Sequence, residues 1–332
     1  MKLPVISFCM YCVFQLSATV PLPLAAQTPI ETLDEKSAGE DFSFQGEYSG
    51  KIETVDGPLP LGLQVIAQGK GSFELKAYPG GLPGDGWEGE EVVAAMGVLR
   101  DGEVLIIADQ GTAVLSNGKA TITNNDGEQV GILSRVIRKS PTLGLKPPED
   151  ATVLFDGSSA AQFQNGKMSP EGWLMQGTKS KLRLESFRLH LEFLLPFKPE
   201  ARGQGRGNSG CYLQSRYEVQ ILDSFGLTGK NNECGGIYGV KAPDVNMCFP
   251  PLSWQTYDID FTAAKFDDAG KKTSNARMTV RHNGVLIHDD VEIPQSTTAS
   301  PLKEGPENGP LYLQDHGNPV RFRNLWFVPK AD

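Results

Sequence analysis

Glu218, Gln220 and Asp223 stand as Glu-x-Gln-x-x-Asp in the stretch 207–223, GNSGCYLQSRYEVQILD. Two carboxylates on one strand are how jelly-roll glycosidases present a nucleophile and an acid. Here the middle position is an amide and cannot ionise. Strict alternation also puts Asp223 on the face opposite Glu218 unless a bulge intervenes. A plain double-displacement glycosidase is therefore disfavoured. The same alternation sends Tyr217, Val219 and Ile221 one way and Glu218 and Gln220 the other. One face would be buried, and the other would be a polar floor suited to a carbohydrate. An edge strand with ordinary polar residues fits the same letters equally well.

His316 is the histidine best placed for acid–base work, since imidazole titrates near neutrality. It ends a strand-like run, 311–316, in which Tyr312, Gln314 and His316 share a face. Arg321 and Arg323 follow in Val-Arg-Phe-Arg-Asn. His190 reads as solvated, His282 as a turn residue and His288 as a strand end, so these three are assigned to structure. Arg206 and Asn208 open the strand region from a glycine-rich loop. Lys241, Asp244 and Asn246 follow a second one, Gly-Gly-Ile-Tyr-Gly at 235–239. Both loops could close over a ligand, or be ordinary surface loops.

Such side chains need a scaffold, and the composition points to strands. Glycine (37) and proline (23) are plentiful in 332 residues, which fits many short strands joined by turns, in two domains. The balance of 31 basic to 40 acidic residues argues against nucleic acid, which needs a basic footprint. Residues 1–26 read as an export signal: Lys2, an apolar run to about Leu24, then Ala25-Ala26-Gln27. The protein is thus expected outside the cytoplasm, with no membrane-spanning segment once the signal is removed. Cys9 and Cys12 would leave with it. Of the remaining cysteines, Cys211 reads as a small core residue, and Cys234 and Cys248 are expected to pair across their loop.

Residues 27–41 are polar and expected to be loose. A small antiparallel β domain should occupy 42–138, with a strand starting at Phe44 and hairpin dipeptides at Asp101-Gly102, Asn117-Gly118 and Asp126-Gly127. Residues 139–150, with Pro141, Pro147 and Pro148, read as a linker. From 151 to 332 about ten strand-like runs and almost no helical periodicity predict a two-sheet jelly roll. The chain is therefore expected to be all-β.

Several ordered motifs in that second part carry a resemblance. Asn208-Ser209-Gly210, the run 217–223, Cys234-Gly235-Gly236-Ile237-Tyr238-Gly239, Trp254-Gln255-Thr256-Tyr257-Asp258, Asn283-Gly284-Val285, Leu313-Gln314-Asp315-His316-Gly317 and Val320-Arg321-Phe322-Arg323-Asn324 resemble the 3-keto-disaccharide hydrolase family. That family is also described as 3-keto-glucoside 1,2-lyase/3-keto-2-hydroxy-glucal hydratase. The resemblance implies a concanavalin- or laminin-G-like sandwich and a 3-keto-glucoside substrate, cleaved by β-elimination and hydration. For that chemistry, residue type and strand face offer Glu218 or His316 as base and Asp223 as an orienting or packing residue. Asn208, Gln214, Gln220 and Gln314 would hold sugar hydroxyls. Arg321, Arg323 or a divalent metal ion would stabilise an enolate; no nucleotide cofactor is expected. Phe163 stands where relatives often carry Trp, and the insert 198–207 would reshape the cleft. A carbohydrate-binding module without chemistry and a conventional glycoside hydrolase are the competing expectations.

Overall fold

The structure is a computed structural model that describes residues 29–330. Residues 1–26, read above as an export signal, lie outside the described residues, and Cys9 and Cys12 with them. Among the described residues the chain is nearly all β, and no helix is long and apolar enough to cross a membrane.

Strands β1 (Gly46–Thr54), β2 (Gly57–Gly69), β3 (Ser72–Pro79), β4 (Val93–Arg100), β5 (Glu103–Ala108), β6 (Gly111–Ser116), β7 (Lys119–Thr123) and β8 (Gln129–Val136) run up and down. They close into a barrel when β1 pairs with β8, Glu47 opposite Val136. The tight turns follow from residue type. Asp101-Gly102 and Asn117-Gly118 all take positive φ, which two-residue hairpins of this twist require. The strand expected from Phe44 begins instead at Gly46, after a one-turn helix, Glu40–Phe44. The segment read as loose is tied down. Thr32 exchanges two backbone hydrogen bonds with Phe197, at 3.2 and 2.8 Å, and Ala38 is fully buried.

The second unit is a sandwich. Its strands are β9 (Thr152–Phe155), β10 (Phe163–Gln164), β11 (Leu174–Met175), β12 (Thr178–Leu184), β13 (Phe187–Leu194), β14 (Ser209–Leu213), β15 (Tyr217–Ile221), β16 (Trp254–Thr262), β17 (Ala276–His282), β18 (Val285–Ile293), β19 (Gly309–Leu313) and β20 (Arg321–Pro329). One sheet runs β9-β20-β13-β16-β17-β18, with β11 also on β20; the other runs β10-β12-β19-β14-β15. Phe187, Phe193, Phe261 and Phe322 from the first sheet meet Cys211, Val219, Ile221 and Leu313 from the second. Each large side chain so buried stabilises the fold by about 1.5–3 kcal/mol. Phe163 packs into this core.

The two units share surface. Phe197 of the sandwich is buried in the barrel's apolar cluster. Arg138 bonds Glu47 Oε2 at 2.7 Å and lies over the ring of Phe249, 5.1 Å from its centroid.

Within the linker 139–150, residues 140–145 lie as a strap across the outer face of the first sheet, and two expectations are corrected beside it. Thr142 Oγ1 donates to Asp258 at 2.6 Å, Gly144 N to Glu192 at 2.6 Å, and Leu145 O accepts from Asn324 at 3.0 Å. His190 therefore lies fully buried beside that strap. Its Nδ1 bonds Asp258 at 2.6 Å and its ring stacks on Trp326. Burial opposes the charged ring, but the bonds to Asp258 and Glu192 win, and its pKa rises. Glu192 is buried too; hydrogen bonds from His190, Asn324, Arg323 and Gly144 overcome that burial and hold it at about 2. Finally, Cys234 and Cys248 lie together as free thiols. Cys234 Sγ is bonded to Tyr257 Oη at 3.2 Å, while Cys248 Sγ is turned to the carbonyl of Leu222.

Candidate active site

On the second sheet, the face turned away from the core carries two aligned rows of polar side chains. Register builds the first: Lys179 pairs with Tyr312, Tyr312 with Tyr212, and Tyr212 with Glu218, across β12, β19, β14 and β15. Alternation then puts a core row next, with Leu313, Cys211 and Val219. The second polar row comes one step further along: Gln314, Gly210 and Gln220. Gln314 N bonds Gly210 O at 2.9 Å, and Gly210 is paired with Gln220.

Glu218 is the chemical centre of this face. It is 2% exposed. Burial drives its carboxyl pKa up from 4.5 to about 8, and a hydrogen bond with Tyr212 pulls back against that rise. Burial and the nearby carboxyl together raise the Tyr212 phenol above its ordinary 10.0, so it stays a proton donor. Space for the carboxyl comes from Gly210: a Cβ there would lie 2.2 Å from Glu218 Oε1. Beyond β15 the chain pairs again, with Tyr238 N on Glu218 O at 3.1 Å. Tyr212 and Tyr312 lie ring to ring at 5.6 Å, and the Lys179 ammonium sits over Tyr312 at 5.0 Å. A buried carboxyl with a raised pKa, a phenol donor and aromatic faces are the kinds of group that acid–base chemistry uses.

The insert 198–207 shapes one end of this surface. Gln204 Oε1 accepts from both Asn208 Nδ2 and Gln220 Nε2, each at 3.0 Å. Asn208 Oδ1 is buried and has no hydrogen-bond partner among the described residues. An unmet buried acceptor costs about 1–3 kcal/mol, which a donor hydroxyl would relieve. Gln314 Nε2 reaches Tyr212 Oη at 3.4 Å. His316 is exposed on the loop after Gln314, where Asn318 ties that loop to Gly207 N at 3.2 Å.

The structure thus brings Glu218, Gln220, Gln314 and Asn208 to one surface, with His316 on a loop at its border. It places four other predicted residues elsewhere. Asp223 turns to the interior and accepts from Arg206 Nε at 2.6 Å. Gln214 sits in the β14–β15 turn with φ +52 and bonds Leu184 O at 2.9 Å. Arg321 and Arg323 are on the outer face of the other sheet, across the core from Glu218. Arg323 bonds Glu192 at 2.6 Å and covers Trp254; Arg321 bonds Gln176 at 2.8 Å. The second loop is also committed elsewhere. Asn246 ties to Ser224 O and Leu227 O, both at 2.8 Å, and Lys241 pairs with Asp244. His282 and His288 are buried, and desolvation lowers them to about 3 and about 4.

Tyr212, Lys179 and Gln204 join the site without having been singled out from the sequence, and Tyr312 was named there only as a strand-face neighbour of Gln314. Tyr212 and Glu218 are symmetric about the hairpin centred on Ser215, and that symmetry was the available signal. A divalent cation does not fit this donor set: among the described residues no group of three or more His, Cys, Asp or Glu side chains is arranged to hold a metal ion, and the surface offers one carboxyl among amides and phenols.

Residues 150–328 match the model of the 3-keto-alpha-glucoside-1,2-lyase-like domain. The chain belongs to that family. The matched region spans the whole sandwich and leaves the barrel outside. A crystal structure from Parabacteroides distasonis ATCC 8503 at 2.13 Å, a provisionally assigned glycosyl hydrolase, is 29% identical. It covers 63% of this chain and 97% of its own, with a TM-score of 0.51. A second one from that organism, at 1.70 Å, is 16% identical over 55% of this chain and 95% of its own, with a TM-score of 0.41, too loose a likeness to bear on the site. No curated protein matches. Family membership and the first neighbour make this lyase-like protein a carbohydrate-active enzyme.

Proposed function

We propose that this protein is an exported enzyme that cleaves 3-keto-glucosides by elimination and hydration, with Glu218 as the base. The observation that carries the reading is the Glu218 carboxyl, buried against Tyr212 with its pKa raised to about 8. A ketone at C3 acidifies the hydrogen on C2. Ionised Glu218 takes that proton, and the electron pair moves into the C2–C3 bond, giving an enolate at the C3 oxygen. The enolate then re-forms the ketone and pushes the pair into a C1–C2 double bond. The C1–O bond breaks, and the leaving oxygen collects a proton. Water adds through its oxygen to C1, its surplus proton goes to the group that protonated the leaving oxygen, and a proton returns to C2 from Glu218, so the net change is hydrolysis with both groups regenerated. No oxocarbenium ion is required, which suits a site with one carboxyl where a retaining glycosidase needs two.

The other groups take roles that follow from their positions. Tyr212 donates to the developing oxyanion, where a fixed donor is worth roughly 3–4 kcal/mol. Asn208, Gln220 and Gln314 orient sugar hydroxyls, and Tyr312 offers an aromatic face. His316, exposed on its loop, protonates the leaving oxygen. No step passes through a metal ion.

The test is to incubate the full-length protein with a 3-keto-glucoside bearing a chromogenic leaving group, beside the unoxidised parent glucoside. Release from the keto substrate alone, lost in Glu218→Gln with binding retained, is the expected result. Release from the parent would make the protein a conventional hydrolase. Binding without release would make it a carbohydrate-binding protein.

A further inference from the structure

The barrel is filled unevenly. Towards one end Tyr48, Val65, Phe73, Leu115 and Leu133 are all almost fully buried and pack the interior solid. Phe44 and Phe197 join that end. Towards the end bounded by the β1–β2, β5–β6 and β7–β8 turns, inward positions fall to small residues: Ala77, Ala108, Gly111 and Ala113. Eight strands leave an interior just wide enough for side chains to fill, or for one small ligand where they do not. Here they leave a cavity of about 230 Å³.

Its lining decides what it can take. Leu61, Leu63, Leu75 and Ile106 form the floor, and among the described residues no charged side chain lines it. The polar lining side chains are Gln110, Thr112 and Thr123, beside the β5–β6 and β7–β8 turns. Ile52, Leu59 and Val130 are only half-buried, so apolar surface at the mouth stays in contact with water. Water gains little in such a space, since it needs two to four polar partners; an apolar cavity of about 150 Å³ stays dry and takes benzene.

We propose that the barrel is a binding site for one small, uncharged, apolar molecule, somewhat larger than benzene. The site is separate from the sandwich and independent of its chemistry. The ligand enters between the turns, and burying the half-exposed mouth residues supplies the free energy. A carboxylate or phosphate finds no cationic partner in the lining.

The full-length chain would be titrated calorimetrically with toluene and, as the charged control, benzoate. Toluene should bind saturably at one site per chain and raise the unfolding midpoint, with benzoate roughly tenfold weaker or more. Ala113→Leu and Ala77→Leu, which fill the cavity, should each weaken toluene by about tenfold or more. Xenon diffused into wild-type crystals should appear inside the barrel, a measurement that does not depend on either variant folding. No saturable toluene binding, retained binding in a folded cavity-filled variant, or xenon located only outside the barrel would overturn the proposal.

Discussion

Replacing Glu218 by Gln should make the protein more stable, and increasingly so as pH rises. The carboxyl has a pKa of about 8 in the folded protein against 4.5 for an ordinary Glu. Below 4.5 both folded and unfolded states hold the proton, and the residue costs the fold nothing electrostatically. Between 4.5 and about 8 the unfolded chain releases the proton while the folded one keeps it, so stability falls with pH. The fall is about 1.4 kcal/mol per pH unit. It accumulates to on the order of 4 to 5 kcal/mol by the top of that window. Gln is nearly isosteric and does not titrate, so the difference between variant and wild type isolates this one group. Urea unfolding would be followed at intervals from roughly pH 5 to 9, extrapolating each curve linearly to water. Trp173, Trp254 and Trp326 lie in the sandwich and Trp87 in the loop between β3 and β4, so fluorescence reports mainly on the relevant unit. The advantage of Gln over Glu should grow across that range and then level off. A constant difference would mean that Glu218 ionises like an exposed carboxylate, and the argument for it as a near-neutral base would fail.

Four further outcomes follow. On a 3-keto-glucoside, kcat/KM should climb with pH and level off above about 8, the value at which Glu218 ionises; Tyr212→Phe, which removes a bond favouring the ionised form, should move that limb to higher pH, and an unmoved limb would separate the two residues. Gly210→Ala, whose Cβ would lie 2.2 Å from Glu218 Oε1, should lower kcat/KM by roughly a hundredfold, with a crystal structure showing the carboxyl displaced. Arg206→Met leaves the Asp223 carboxyl buried without its arginine and should cost about 3–5 kcal/mol in urea unfolding; a loss below 1 kcal/mol would refute the pair as a buried structural contact. A chelator should leave turnover unchanged, because the donors around Glu218 form no cation cage; loss restored by a divalent cation would refute this.

Alternation alone made much of the site legible. The letters YEVQI require Tyr217, Val219 and Ile221 to share a face and Glu218 and Gln220 the other, and all three of the former are core residues. Local turn chemistry likewise located the Asp101-Gly102 and Asn117-Gly118 hairpins, because positive φ is a property of the residues themselves. Strand β6 was hidden, since Gly-Thr-Ala-Val-Leu-Ser carries small residues and little contrast between its faces.

What the linear order could not convey is which strands become neighbours and what lies over them. Arg321 and Arg323 follow His316 closely in sequence, yet β20 belongs to the other sheet, so the core separates them from Glu218. His190 and Glu192 alternate like a solvated face, and the strap, with Trp326 and Arg323 from β20, covers them. Cys234 and Cys248 do come together, but as thiols engaged with Tyr257 and Leu222. The raised pKa of Glu218 is of the same kind. Side-chain direction follows from backbone stereochemistry two residues at a time, whereas burial is set by segments far apart in the chain. A carboxyl becomes a base near neutral pH only once β14, β15 and the chain beyond have closed around it.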